Sequence, residues 1–94
     1  MNLNSTLLEG VIVENPEYSE KEKRCKLTIR SDRFYKVGGK LRKKENIFTV
    51  IATGKIAECC SKKNKGATIR VTGSLDTVEN NAVIIEADHI DYKP

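Results

Sequence analysis

The residue types that most often carry out catalysis or bind metals are few in this sequence. His89 is the one histidine, and the sequence places no nucleophile beside it in the way a Ser–His or Cys–His mechanism requires. Cys59 and Cys60 are adjacent, without the two-residue gap of a zinc motif, and Cys25 lies on a different segment. We therefore expect no enzyme activity, no metal and no cofactor, and we expect His89 at the surface or rim of the fold.

Other patterns also lack the residues that would complete them. Gly38–Gly39 is not followed by the Gly-Lys-Ser/Thr sequence of a phosphate-binding loop. Glu20 and Glu22 stand among lysines, which favours a solvated role over acid–base catalysis. Three cysteines at apolar positions of the pattern predict buried, reduced thiols rather than a disulfide framework. Because the sequence shows no pattern of a signal peptide or membrane segment, we expect a cytoplasmic, nucleoid-associated protein with no membrane partner.

Positive charge is the one strong chemical signal in the 94 residues. Lys and Arg number 17 against 13 Asp and Glu, which gives a net charge of +4. Such a balance is compatible with a phosphate-rich partner and equally with a basic protein that has no such partner. The cations that could contact phosphates lie on predicted outward strand positions or in one glycine-centred segment: Lys26, Arg30, Arg33, Lys36, Lys40, Arg42, Lys43, Lys44 and Arg70.

The elements that must position these cations are strands, because apolar residues recur with a period of two. The pattern predicts five strands at Leu3–Val13, Cys25–Arg30, Ile47–Thr53, Thr68–Leu75 and Ala82–Tyr92, and one short helix over Gly54–Ser61. In the second strand Cys25, Leu27 and Ile29 are predicted to face inward. The inward residues of the fourth strand are predicted to be Ile69, Val71 and Leu75, and the apolar stripe of the helix is predicted to be Ile56, Cys59 and Cys60.

Phe34–Glu45, between the second and third predicted strands, is interpreted as a hairpin loop. Gly38 and Gly39 stand at its middle, and this pair tolerates positive φ angles. The segment is either a solvated, mobile tip or a flexible basic arm that folds over a nucleic-acid backbone.

The order of the elements points to a particular barrel. A helix between the third and fourth strands of an antiparallel set is the layout of the OB-fold, a five-stranded Greek-key barrel. We therefore predict an all-β protein with one short helix, forming a single domain over residues 1–94. In this fold the ligand surface crosses strands two and three. The basic face of the second strand and the basic segment Phe34–Glu45 both lie there.

Several motifs resemble the bacterial single-stranded-DNA-binding protein family. Gly54–Glu58 reads Gly-Lys-Ile-Ala-Glu after the apolar strand, and Lys65–Leu75 reads Lys-Gly-x-x-Ile-x-Val-x-Gly-x-Leu at the expected separation. The start, Leu8–Gly10 with Asn15–Glu17, is similar to the family's opening. The resemblance implies an OB-fold homo-oligomer, a tetramer or dimer, that binds single-stranded DNA in replication, repair or recombination with little dependence on sequence.

The resemblance also implies which side chains stack on bases. The family's stacking aromatic at the end of strand two is matched by Phe34, with Tyr35 beside it, whereas Ile47 and Thr53 stand at two other aromatic positions. We therefore expect a basic groove with limited stacking. The family's acidic C-terminal tail has no counterpart.

Two alternatives stay open. This sequence resembles the primosomal replication protein, a dimeric relative of the same fold, in two features. Both have few stacking aromatics, and the closing segment Ala87–Ile90 is similar to that protein's closing strand. The same shortage of aromatics would also suit an OB-fold protein-interaction module with replication proteins as partners.

Overall fold

The computed structural model describes residues 2–93, which form six strands and one α-helix. The bounds are β1 Thr6–Ile12, β2 Glu17–Ser19, β3 Arg24–Val37, β4 Lys40–Thr53, α1 Gly54–Cys60, β5 Thr68–Thr77 and β6 Val83–Tyr92. A 3-10 turn at Glu79–Asn81 joins β5 to β6, and Asn80 and Asn81 both take positive φ angles there. Asparagine tolerates this conformation better than most residues, which lets the chain turn tightly between the two strands.

Five of the strands close into a barrel. β1 pairs antiparallel with β5 and, through Val11 and Ile12, with β3; β3 pairs antiparallel with β4 and β5 with β6. A parallel pairing of β4 with β6 completes the ring. The predicted order of strands and helix, and with it the predicted five-stranded barrel, is confirmed. The additional strand β2 pairs with the start of β3, and its three residues are too few to show an alternating pattern.

The core fills the barrel with the side chains that the period-two pattern selects. Cys25, Leu27 and Ile29 of β3 are fully buried, as predicted. The helix α1 packs against β3, β4 and β6, and it adds Ala57 and Cys60 to the core. The other members of the core cluster are Ile12, Val50, Ala52, Ile69, Val71, Ile85 and Ile90.

Two burial predictions are wrong. Leu75 is 48% exposed, because it lies past the end of the β1–β5 pairing at Gly73, where β5 is paired with β6 and no longer with β1. Cys59 is also exposed, because α1 is a short helix whose buried positions are Ala57 and Cys60, while Ile56 is only partly covered.

The prediction of a loop over Phe34–Glu45 is also wrong. The β3–β4 ladder continues without a break from Arg30 opposite Ile47 to Val37 opposite Lys40, and only Gly38 and Gly39 turn the chain. Their φ angles of +58° and +79° are those of a two-residue turn that matches the twist of the flanking strands. The predicted loop is therefore a two-stranded ribbon that extends beyond the barrel.

Candidate nucleic-acid interface

The ribbon carries the net positive charge of the molecule. We call residues 30–47 the basic hairpin. It contains seven Lys and Arg against two acidic residues, a net charge of +5, whereas the rest of the chain has ten against eleven, a net charge of −1. A polyanion is therefore attracted to this one projection and not to the protein as a whole.

Strand register divides the basic hairpin into two faces. Because successive side chains of a strand point to opposite sides, the residues that continue the outward positions of the barrel form one face. This groove-side face consists of Arg30, Asp32, Phe34, Lys36, Leu41, Lys43, Glu45 and Ile47. The core-row face continues the line of the buried residues beyond the barrel, and it consists of Ser31, Arg33, Tyr35, Val37, Lys40, Arg42, Lys44 and Asn46.

The cations at the base of the groove-side face are neutralised within the chain. Arg30 Nε lies 3.4 Å from Asp32 Oδ1, and Lys43 Nζ lies 3.8 Å from Asp32 Oδ2 and 3.4 Å from Glu45 Oε1. An incoming phosphate would have to compete with these carboxylates. The groove-side face is thus the less attractive of the two for a polyanion, although it holds the exposed ring of Phe34.

The core-row face contains four cations and no acidic residue. Within residues 2–93, Arg33, Lys40, Arg42 and Lys44 form no ion pair with an acidic side chain. The guanidinium of Arg33 lies 5.6 Å from the ring centre of Tyr35, which is directly opposite Arg42 across the ribbon. Cations around a partly exposed ring are the combination that binds phosphates and stacks on a base in single-strand sites.

A groove crosses the outer surface of the barrel next to the basic hairpin. Its floor is formed by Ile51 of β4 and Ile84 of β6, which point outward yet are only 7% and 8% exposed. On one side β3 contributes Arg24 and Lys26, and on the other Val78, Glu79 and Ala82 of the β5–β6 connection overhang the floor. The floor is aliphatic, so a base would pack against it without aromatic stacking.

The structure distributes the residues predicted from sequence over three places. Lys26 lies in the groove wall, where its Nζ is 4.0 Å from Glu17 Oε2. The other ten residues predicted to bind nucleic acid lie further along the chain, from Arg30 to Arg70. Nine of these, all but Arg70, lie in the basic hairpin. They are split between its groove-side face (Arg30, Phe34, Lys36 and Lys43) and its core-row face (Arg33, Tyr35, Lys40, Arg42 and Lys44).

Arg70 is the predicted site residue that the structure places elsewhere. It lies on β5, where its Nη2 is 3.3 Å from Glu9 Oε2 of β1, and in the barrel β1 separates β5 from β3 while β6 separates β5 from β4. Lys93 and Arg70 both bond to Glu9, and these bonds lower the pKa of that carboxyl group. Arg70 is therefore part of an ion-pair group on another side of the barrel.

Sequence reasoning missed Ile51 and Ile84, which form the groove floor, and Glu86, which lies opposite Ile51 in the parallel pairing at the edge of that floor. A signal was present, since Ile51 is a β-branched apolar residue at an outward position and Ile84 adjoins the buried Ile85. An outward apolar residue predicts a covered or ligand-facing surface, but only the parallel β4–β6 pairing shows that these side chains meet.

Of the side chains considered for catalysis and metal binding, His89 is at the surface, whereas Cys25 and Cys60 are in the core. His89 is exposed, as expected, and its Nε2 lies 2.8 Å from Asp91 Oδ1. Burial raises the pKa of the Cys60 thiol to about 12, and it also raises the pKa of Cys25 and Tyr92, so these groups stay protonated near neutral pH. Among residues 2–93, no three potential ligands come together in a metal-binding group.

Comparison with solved structures identifies the fold of this chain. Over 100% of this chain and 97% of the other, it superposes on the Plasmodium falciparum SSB complex with ssDNA, with a TM-score of 0.85 and 17% identity. A small single-stranded DNA-binding protein from Streptomyces coelicolor gives a TM-score of 0.81 at 19% identity, covering 99% and 95% of the two chains. The fold is an OB-fold.

The second resemblance noted in the sequence also has a structural counterpart. The protein PriB from Ralstonia solanacearum matches with a TM-score of 0.75 and 15% identity, over 97% of this chain and 98% of that one. No protein-family model and no curated protein matches the sequence. At these identities the OB-fold is established and its ligand is not. In residues 2–93 no helix is both long and apolar enough to span a bilayer.

Proposed function

We propose that this protein binds single-stranded DNA with little dependence on sequence, through the basic hairpin, and catalyses no reaction. The observation that carries the proposal is the separation of charge: +5 on residues 30–47 and −1 on the remainder. Replication, repair or recombination are the processes in which such strands are exposed.

The core-row face supplies the main contacts in this proposal. Arg33, Lys40, Arg42 and Lys44 contact phosphates, and Tyr35 stacks on a base between them. Because these cations have no carboxylate partner within residues 2–93, a phosphate that binds them displaces only water and counterions. Phe34 and Lys36 of the groove-side face, with Lys26 in the groove, extend the path towards the barrel.

Two structural comparisons support the proposal at the level of the fold. The Plasmodium falciparum structure is a complex with ssDNA, and the Streptomyces coelicolor protein is named for the same ligand. An OB-fold does not dictate its ligand, so the charges of this chain, and not the structural match, support single-stranded DNA as the ligand.

The salt dependence of binding tests the proposal. Fluorescence anisotropy of a labelled single-stranded oligonucleotide, titrated at several salt concentrations, should give a log-affinity against log-salt slope near −3, since each of four phosphate contacts adds about −0.7. A flat slope would contradict the electrostatic mechanism. Equal affinity for a duplex of the same sequence would contradict the preference for single strands.

A further inference from the structure

The outer groove has two chemically different walls joined by a floor. In the strand register Lys26 of β3 lies opposite Ile51 of β4, and Ile51 lies opposite Glu86 of β6. One row across the barrel therefore reads cation, aliphatic side chain, carboxylate. Its two charged ends are two strand spacings apart, about 10 Å.

The acidic wall consists of Glu86, which lies opposite Ile51, and Glu79, which lines the groove. In residues 2–93 neither Glu86 nor the overhanging Glu79 forms an ion pair, and both are exposed. By contrast, the cations of the opposite wall are only loosely engaged, Lys26 with Glu17 and Arg24 with Glu22, each at 4.0 Å. A ligand that lies across the floor therefore meets the two carboxylates on one side and, on the other, cations that it can draw away from Glu17 and Glu22.

A nucleotide can lie across this row in one direction only. Its phosphate is attracted to Lys26 and repelled by Glu86, so the phosphate must lie on the β3 side. The base then covers Ile51 and Ile84, and its edge points towards Glu86. A carboxylate accepts hydrogen bonds, and the N4 amine that projects from the edge of cytosine donates to it. Uracil and thymine carry the acceptor O4 at that position, and their one donor, N3–H, is set between two carbonyl oxygens that repel a carboxylate.

From this arrangement we infer that Glu86 makes the groove select bases whose edge carries an amine, and that the protein binds cytosine strands more tightly than uracil or thymine strands. The inference rests on the proposed single-strand binding, and it adds a modest base preference to contacts that are otherwise independent of sequence. Glu79, above the same floor, adds a second acceptor for neighbouring bases.

The preference can be measured with two oligonucleotides that differ only in the pyrimidine edge, which carries an N4 amine and an unprotonated N3 in oligo-dC but O4 and N3–H in oligo-dU. Oligo-dC and oligo-dU of equal length are compared by anisotropy at about pH 8, and oligo-dT serves to isolate the effect of the methyl group. We expect the full-length protein to bind oligo-dC roughly two- to tenfold more tightly, the range of one hydrogen bond to an exposed acceptor. Glu86→Gln should bring the ratio towards one, chiefly by strengthening binding of oligo-dU.

A matched control separates this effect from loss of charge. Glu58→Gln removes one exposed carboxylate from α1, which contributes no residue to the row of Lys26, Ile51 and Glu86, and should leave the dC-to-dU ratio as in the unaltered protein. Equal affinity of the unaltered protein for the two strands, or a ratio that Glu86→Gln leaves intact, would overturn the inference while single-strand binding stands. If neither strand binds even at low salt, both the inference and the proposed function are wrong.

Discussion

Replacing Arg33, Arg42 and Lys44 together with alanine is expected to weaken binding of a single-stranded oligonucleotide by about 100-fold or more at low salt. These three cations lie on the core-row face, where no acidic side chain competes for them. The slope of log-affinity against log-salt should become shallower by about 2, since three contacts of about 0.7 each are lost. Anisotropy titrations of both proteins at several salt concentrations measure the two effects together.

The control for this variant removes the same charge from another part of the chain. Lys21, Lys62 and Lys65 are exposed and lie at the end of the barrel where β3 begins and α1 ends, opposite to the tip of the basic hairpin. Replacing these three with alanine also lowers the net charge from +4 to +1. Affinity should then change by no more than about threefold, because most of the screened long-range attraction is lost beyond roughly 10 Å. Equal losses in the two triple variants would show that only net charge matters.

Gly73→Ala is expected to lower the free energy of unfolding by about 2–3 kcal/mol. Gly73 lies at the irregularity in the β5–β6 pairing, and a methyl group there would overlap the backbone carbonyl of Glu86. Backbone cannot rotate away as a side chain can, so the two strands would have to separate. A loss of this size is a large fraction of the stability of a small domain. Urea unfolding followed by circular dichroism measures it.

The neighbouring residue provides the comparison. Ser74 is only partly buried and also lies opposite Glu86, so Ser74→Ala should change the free energy of unfolding by less than about 1 kcal/mol. If Gly73→Ala proves as stable as Ser74→Ala, then β5 and β6 do not approach as closely as the register requires.

The barrel could be predicted from sequence because its signals are local. The alternation of Cys25, Leu27 and Ile29 marks a half-buried strand, and asparagines mark the turn between β5 and β6. The ribbon of the basic hairpin could not be predicted in this way. Its residues are charged on both faces, so the sequence shows no alternation of apolar and polar residues. The hydrogen bonds that hold the ribbon together are made by backbone groups and do not depend on the side chains.

The candidate site could be predicted in composition but not in arrangement. The sequence identifies the cations, but their faces depend on register, which the two-residue turn at Gly38–Gly39 fixes. A slip of one residue would exchange the two sides of a strand. The acidic wall depends on the parallel pairing of Ile51 with Glu86, two residues far apart in sequence whose proximity no local pattern indicates.

Self-association stays a prediction of the sequence resemblance. The structure contributes one relevant surface, because Leu75 and Val83 are 48% and 58% exposed and line a shallow depression at the end of the β5–β6 pair. A dimeric or tetrameric assembly that covered these side chains would have a larger core than the single chain provides. Sedimentation of the free protein reports its mass directly.

The proposed function requires that the core-row face of the basic hairpin binds the strand. The most direct measurement is a ¹H–¹⁵N chemical-shift titration of the full-length protein with a short single-stranded oligonucleotide at low salt. The largest shifts should occur in the amides of residues 33–44 and the side-chain Nε–H groups of Arg33 and Arg42, with smaller shifts along the groove. Shifts concentrated on α1 or β5, with residues 33–44 unchanged, would contradict the claim.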